Sequence, residues 1–298
     1  MQNNRIVLAT PPVFSFDECL FYLNRGYDEC LHRVENNTLT KAISSGDELA
    51  LYRIAFENDA LVVDILSENP SHEIKEKIKT HVIEWFDLGC DITPFYELLK
   101  KHPQTEYMAE KFYGLPFIGI PDLYEVMNWS IMGQLINLTF FYKIKRNFVE
   151  RYGRYMDYEG IRYYVCPAPQ TVIRLSVEEL KSLQITTAKA NCMIAVANLF
   201  IENQLSKDLL LRLDSFESRQ KTLTSIKGIG VWTANYTLLK SLKEINCIPY
   251  GDAALLNAMI KNEIISQKDD ITALDLFYNE FPDWKHYLTS YIWRSVAK

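Results

Sequence analysis

The sequence predicts an α+β chain: a small N-terminal domain of antiparallel strands and helices over residues 1–90, then a mostly α-helical core over residues 91–298. Three observations predict it. Strand-forming runs closed by Asn- and Asp-rich turns crowd the first part of the chain. Beyond Ile92 the apolar residues recur at helical spacing and no convincing strand is found. Glycine numbers only 11 in 298 residues, which suits helices.

Phe16 to Leu23 is a short helix with Ser15 placed to cap it. Cys30 to Val34 and Leu39 to Ile43, separated by Asn36-Asn37, form one hairpin. Leu51 to Phe56 and Leu61 to Leu66, around Glu57-Asn58-Asp59-Ala60, form another. Ser71 to Leu88 is an amphipathic helix, since Ile74, Ile78, Val82 and Phe86 share one face. Helices follow over Thr93 to His102 and Gln104 to Tyr113, then a Gly/Pro-punctuated connector from Leu115 to Pro121. A long helical region starts at Leu123 and continues through Phe148. Cys166-Pro-Ala-Pro is a loop. Ser176-Val-Glu-Glu is a capping box that starts a helix to Leu183. Ala188 to Glu202 and Lys207 to Leu213 are further helices. Asp270 to Ala297 is helical with a break at Phe281-Pro282-Asp283.

Composition narrows the class. No apolar run approaches the ~18 residues of a membrane span, and the opening Met1-Gln-Asn-Asn-Arg5 lacks the basic-then-apolar order of an export leader. A soluble cytoplasmic protein is expected. The six cysteines form no C-x-x-C pair and sit among apolar neighbours, so buried free thiols are expected. The five histidines are scattered, without metal-ligand spacing. The net charge of −6 excludes a protein that coats nucleic acid, because such affinity comes from phosphate neutralisation. Lys143, Lys145, Arg146 and Arg151 form the densest basic cluster, a solvated helix face.

The most informative stretch runs from about residue 218 to 240. Leu223 and Ile226 end one helical pattern; Trp232, Tyr236 and Leu239 share a face of the next. Between them stand Gly228, Ile229 and Gly230. Two helices joined by Gly-Ile-Gly form a hairpin, with Ile229 plugged between them and the second helix's free N–H groups facing out. Such groups bind anions, and a phosphate of nucleic acid suits them. The alternative at this point is a plain helix end followed by a helix start. Asp252, before Ala-Ala-Leu-Leu, is a good helix cap on its own terms.

Leu223, Ile226, Gly228, Ile229, Gly230, Thr233 and Ala234, followed at the family interval by Asp252, closely resemble the helix-hairpin-helix of the DNA glycosylase superfamily. Trp232 and Tyr236 resemble its bacterial 3-methyladenine DNA glycosylase II branch. The resemblance implies a two-lobed helical core with the active cleft between the lobes. It implies release of alkylated purines from damaged double-stranded DNA by a monomeric enzyme after base flipping. Asp252 would be catalytic. Trp232, Tyr236, Trp293 and, by rougher alignment, Tyr22 would bind the base. Leu135, in Ile131-Met-Gly-Gln-Leu-Ile-Asn137, would wedge into the stack with Gln134 beside it. Lys227, Gly228, Ile229 and Gly230 would hold phosphate. Relatives that also nick the strand carry a lysine where this chain has Trp232, so simple hydrolysis is expected. No cysteine follows Asp252, so no iron–sulfur cluster is expected; the only cofactor the resemblance leaves open is a monovalent cation at the hairpin. Gly251 departs from relatives that often place a second acidic residue there. The alternatives are a non-catalytic DNA-binding module and a glycosylase for oxidised or deaminated bases.

Overall fold

The structure is a computed structural model describing residues 4–24 and 26–297. It opens with strand β1 (Arg5–Ala9) and helix α1 (Phe16–Leu23), the latter capped by Ser15 through Glu18 N. Strands β2 (Arg33–Glu35), β3 (Thr38–Ser45), β4 (Glu48–Glu57) and β5 (Ala60–Ile65) complete an antiparallel sheet in the order β1-β5-β4-β3-β2. Both expected hairpins form. Asn36-Asn37 and Asn58-Asp59 all take positive φ, between 49° and 58°, the backbone that two-residue hairpin turns need and that Asn and Asp tolerate. Helix α2 (His72–Trp85) buries Ile74, Ile78 and Val82 and packs on β3 and β4.

The β1 strand lies outside the expected set, and the expectation of helix alone beyond Ile92 is also corrected. Strands β6 (Tyr155–Tyr158) and β7 (Ile161–Tyr164) form a second hairpin around Glu159-Gly160. Tyr163 and Val165 bury themselves against Ala42 and Leu51 on the first sheet. Four-residue strands carry too little alternation to announce themselves; tertiary packing makes them.

The remaining chain is helical: α3 (Thr93–Leu99), α4 (Glu106–Lys111), α5 (Leu123–Gly133), α6 (Leu138–Tyr152), α7 (Pro169–Val172), α8 (Val177–Ser182), α9 (Thr187–Ile201), α10 (Lys207–Leu211), α11 (Phe216–Thr224), α12 (Val231–Thr237), α13 (Ala253–Lys261), α14 (Ile271–Asn279) and α15 (Lys285–Arg294). A π-helical turn, Leu238–Leu242, continues α12. The Ser176 capping box is present in full. The long helical region expected from Leu123 is broken: α5 stops at Gly133, and Asn137 caps α6 by accepting from Phe140 N.

Two cores result. One joins the sheet, α1 to α4 and α13 to α15; the other is built by α5 to α12. Leu238 belongs to the second and Leu239 to the first, so the seam passes through the end of α12, and Tyr236 packs against both. Ion pairs stitch the seam. Glu29 takes Lys145 on α6 at 2.8 Å through both oxygens. Although burial alone would raise it, Lys145 and His32 hold the Glu29 carboxyl well below the usual range. The basic cluster is therefore not one solvated face: Lys145 is buried and Arg146 pairs with Asp28 and Glu150. At the opposite end of the first core, Arg294 of α15 pairs with Glu18 of α1 at 2.8 Å and lies 3.7 Å from the Phe21 ring centre. Among the described residues no helix is long and apolar enough to cross a membrane.

Candidate active site at the seam

Asp252 begins α13 at this seam. Its Oδ1 accepts from Leu255 N at 2.7 Å, the helix cap that the sequence predicts. The same Oδ1 accepts from Trp293 Nε1, and Oδ2 accepts from Trp232 Nε1, both at 3.1 Å. The carboxylate is partly exposed, so capping the helix does not seal it away from solvent. A carboxylate offers about four lone-pair directions; three are used, and the open one is on Oδ2. Gly251 takes φ +80° with open space around it, a left-handed turn that glycine adopts without steric cost.

The rings gather around that carboxylate. Trp232 stacks on Tyr236 at 5.4 Å between centres, and Tyr236 meets Trp293 at 6.1 Å. Trp293 is nine-tenths buried on α15. Tyr22 sits behind, buried on α1, its hydroxyl accepting from Lys240 Nζ at 3.1 Å. Tyr22, Tyr236 and Lys240 line a cavity of about 80 Å³ that runs toward Trp129 and Tyr142. All four expected aromatic residues therefore cluster on the Asp252 side of the seam. A larger cleft of about 550 Å³ lies between β3, α2 and the start of α5; none of these aromatic residues lines it.

The hairpin is as expected in outline. Helix α11 ends at Thr224, Ile229 is buried against the second core, and α12 begins after Gly230 with no side chain capping it. Gly228 needs its glycine twice over: φ is +97°, and a Cβ would lie 3.0 Å from Cys192 Cβ and Sγ. Gly230 has ordinary φ and nothing within 4 Å of a Cβ. Lys227 is exposed at the turn.

Leu135 stands next to it. It is fully exposed, at 106% of the reference area, and holds φ at +55°. A leucine in the left-handed region costs roughly 1–2 kcal/mol, and exposure returns nothing for it in the free protein. Its neighbours hold it there. Gln134 Nε2 donates to the Gly228 carbonyl at 3.0 Å and to Thr233 Oγ1 at 2.9 Å, tying the α5–α6 loop to the hairpin. Lys189 Nζ donates to the carbonyls of Met132 and Gln134 at 2.9 and 2.8 Å. The resemblance places Gln134 beside the wedge; in this structure its amide is on the hairpin. Lys189 and Lys240 were missed. A lysine in an apolar helix usually extends its charge to water, so the sequence singles out neither.

Comparison with known proteins follows this geometry. Residues 13–127 match the N-terminal domain of 8-oxoguanine DNA glycosylase. DNA-3-methyladenine glycosylase of Bacillus subtilis (strain 168) is 36% identical over 298 aligned residues, covering 98% of this chain and 97% of that protein. DNA-3-methyladenine glycosylase 2 of Escherichia coli (strain K12) is 31% identical over 128 residues, 43% of this chain and 44% of that protein. The solved 3-methyladenine DNA-glycosylase from Archaeoglobus fulgidus superposes with a TM-score of 0.82 at 19% identity, covering 97% of both chains, which shows a shared fold. Identity sustained from end to end goes beyond likeness of fold: the chain belongs to the helix-hairpin-helix DNA glycosylase superfamily, in its 3-methyladenine branch.

Proposed function

We propose that this chain is a monofunctional glycosylase that hydrolyses the bond between an alkylated purine and its deoxyribose in double-stranded DNA, leaving an abasic site. The observation that carries the reading is the Asp252 carboxylate, fixed between two indole N–H groups with one Oδ2 lone pair open, beside a cluster of aromatic rings.

Leu135 enters the stack as the nucleotide leaves it, replacing lost base contacts at a cost of a few kcal/mol in unstacking. The outward N–H groups at the start of α12 and the Lys227 side chain hold backbone phosphate. The same reading leaves room for a monovalent cation held by hairpin carbonyls, of which Gly228 O already accepts from Gln134. Such an ion would firm the turn against phosphate. As the glycosidic bond lengthens, positive charge grows on the sugar, and the fixed Oδ2 faces it without having to reorganise. A purine that is already cationic leaves as a neutral base and needs little acid help. Electron-rich faces at Trp232, Tyr236 and Trp293 hold such a cation, by about 0.5–2 kcal/mol in cation–π energy. Trp232, where strand-nicking relatives have lysine, supplies an N–H to Asp252 in place of a nucleophilic amine. The reading has the chain act as a cytoplasmic monomer on the chromosome.

The test is release of 3-methyladenine and 7-methylguanine from methylated duplex, followed by chromatography. Asp252→Asn should lower release by about 10²–10³-fold and leave duplex affinity within about threefold. Borohydride should trap no covalent protein–DNA adduct. Undiminished release by Asp252→Asn would sink the catalytic assignment. A trapped adduct would sink the monofunctional one. Since the N-terminal match is to an 8-oxoguanine enzyme, an 8-oxoguanine duplex belongs in the same assay, and no release from it is expected.

A further inference from the structure

The loop that exposes Leu135 is pinned on either side of that residue. Helix α5 ends at Gly133, and the last carbonyls of a helix lack partners within it. Lys189 supplies a donor from α9: its Nζ reaches the Met132 and Gln134 carbonyls at 2.9 and 2.8 Å. The Gln134 side chain is fixed in turn by the hairpin, through Gly228 O and Thr233 Oγ1. On the far side, Ile136 packs against the second core and Asn137 caps α6. Between these fixed points Leu135 stands in solvent at positive φ. That backbone is unfavourable for leucine, so it persists because its surroundings impose it.

Lys189 is oddly placed for its own helix. It lies in the first turn of α9, where the Thr186 side chain caps the helix by accepting from Lys189 N. A first turn favours negative side chains, and a last turn favours positive ones. The ammonium therefore opposes the dipole of α9 and complements the C-terminal end of α5.

We propose that Lys189 is a positioning residue for base release: by gripping the carbonyls on either side of Gly133, it holds Leu135 in the pose from which the side chain enters the base stack. This rests on the wedge role given to Leu135 above. Without the ammonium the two carbonyls turn to water and φ at Leu135 relaxes to the ordinary region. The leucine must then be reordered each time a nucleotide leaves the duplex. A wedge set in advance removes that cost.

The experiment measures single-turnover release of 7-methylguanine from one defined duplex site. It compares the unmodified chain, Lys189→Met, Lys189→Arg, Leu135→Ala and the double variant Lys189→Met/Leu135→Ala. Met keeps the apolar stem and removes the donors; Arg keeps charge and donors. Lys189→Met should lose about tenfold in rate, and Lys189→Arg should recover most of that loss. In the Leu135→Ala background, Lys189→Met should cost less than about threefold, because no wedge remains to position. If Lys189→Met does not melt cooperatively, Lys189→Ala, which opens the carbonyls to water, takes its place with the same expectations. An equal loss with and without Leu135 overturns the proposal. Accompanied by a salt dependence of duplex affinity shallower by about one ion, that result makes Lys189 a phosphate contact instead. An undiminished rate in Lys189→Met, with Leu135→Ala impaired, overturns the proposal and leaves the wedge standing. An undiminished rate in Leu135→Ala removes the wedge and this inference together. No release by the unmodified chain removes the proposed function itself, and this inference with it.

Discussion

Leu135 shows how a single residue is spent on something other than folding. Its side chain meets water and its φ of +55° is unfavourable, so stability gains nothing from it. Leu135→Ala should therefore melt within about 0.5 kcal/mol of the unmodified chain. Calorimetry on the variant checks that half. If Leu135 is the proposed wedge, lesion-duplex turnover should fall by roughly tenfold, since no apolar body would then fill the vacated stack. An equal loss on single-stranded substrate, where no stack needs filling, would refute the wedge. Much at this scale was legible beforehand. Asp252, Trp232, Tyr236 and the glycines stand at fixed spacing and meet in the fold, and spacing is what a chain displays. Lys189 and Lys240 were not legible. Both lie in apolar helices, where a lysine usually extends its charge to water, and only the folded chain brings carbonyls and rings to meet them.

The hairpin separates two glycines that look alike in sequence. Gly228→Ala forces a Cβ against Cys192 and a side chain into positive φ; it should cost about 1–3 kcal/mol, seen as a lower denaturant midpoint. Gly230→Ala meets open space and an ordinary φ. It should fold nearly as well, yet weaken duplex binding at low salt about tenfold, because the added methyl stands where phosphate must approach. Reversal of that pattern, with Gly230→Ala unstable and Gly228→Ala merely weak in binding, would overturn the division of labour. The break between α5 and α6 was misread for a related reason. Ile131 to Phe148 keeps helical apolar spacing straight through Gln134, and the stop depends on Asn137 capping the next helix and on Lys189 reaching across from α9. Periodicity registers burial, not the interruption that exposes one leucine. The β6–β7 hairpin was hidden because its stability comes from Tyr163 and Val165 resting on a sheet formed by residues far upstream.

Across the whole molecule, acid should be the weak condition. Burial holds His32 and His286 down to about 4, and His81 well below its ordinary value. Each therefore stays neutral in the folded chain at pH values where the unfolded chain takes up a proton. The stability they support is complete above about pH 6.5 and is lost as pH falls toward 4. Glu125, raised by burial, acts in the opposite direction, one group against three. The melting temperature should drop steadily from pH 6.5 to 4, and His286→Gln should flatten part of that slope. A melting temperature constant over that range would contradict the burial of these rings.

The Arg294–Glu18 pair, with Phe21 stacked beneath the guanidinium, has a consequence for how the protein is made. Helix α1 leaves the ribosome long before α15 is translated, so its docking partner is missing for nearly the whole of synthesis. Until then Phe21 and neighbouring apolar groups stay open to stray association, as expected for structures held by distant contacts. A nascent chain stalled ahead of Arg294 should thus recruit holding chaperones, and the completed chain should release them.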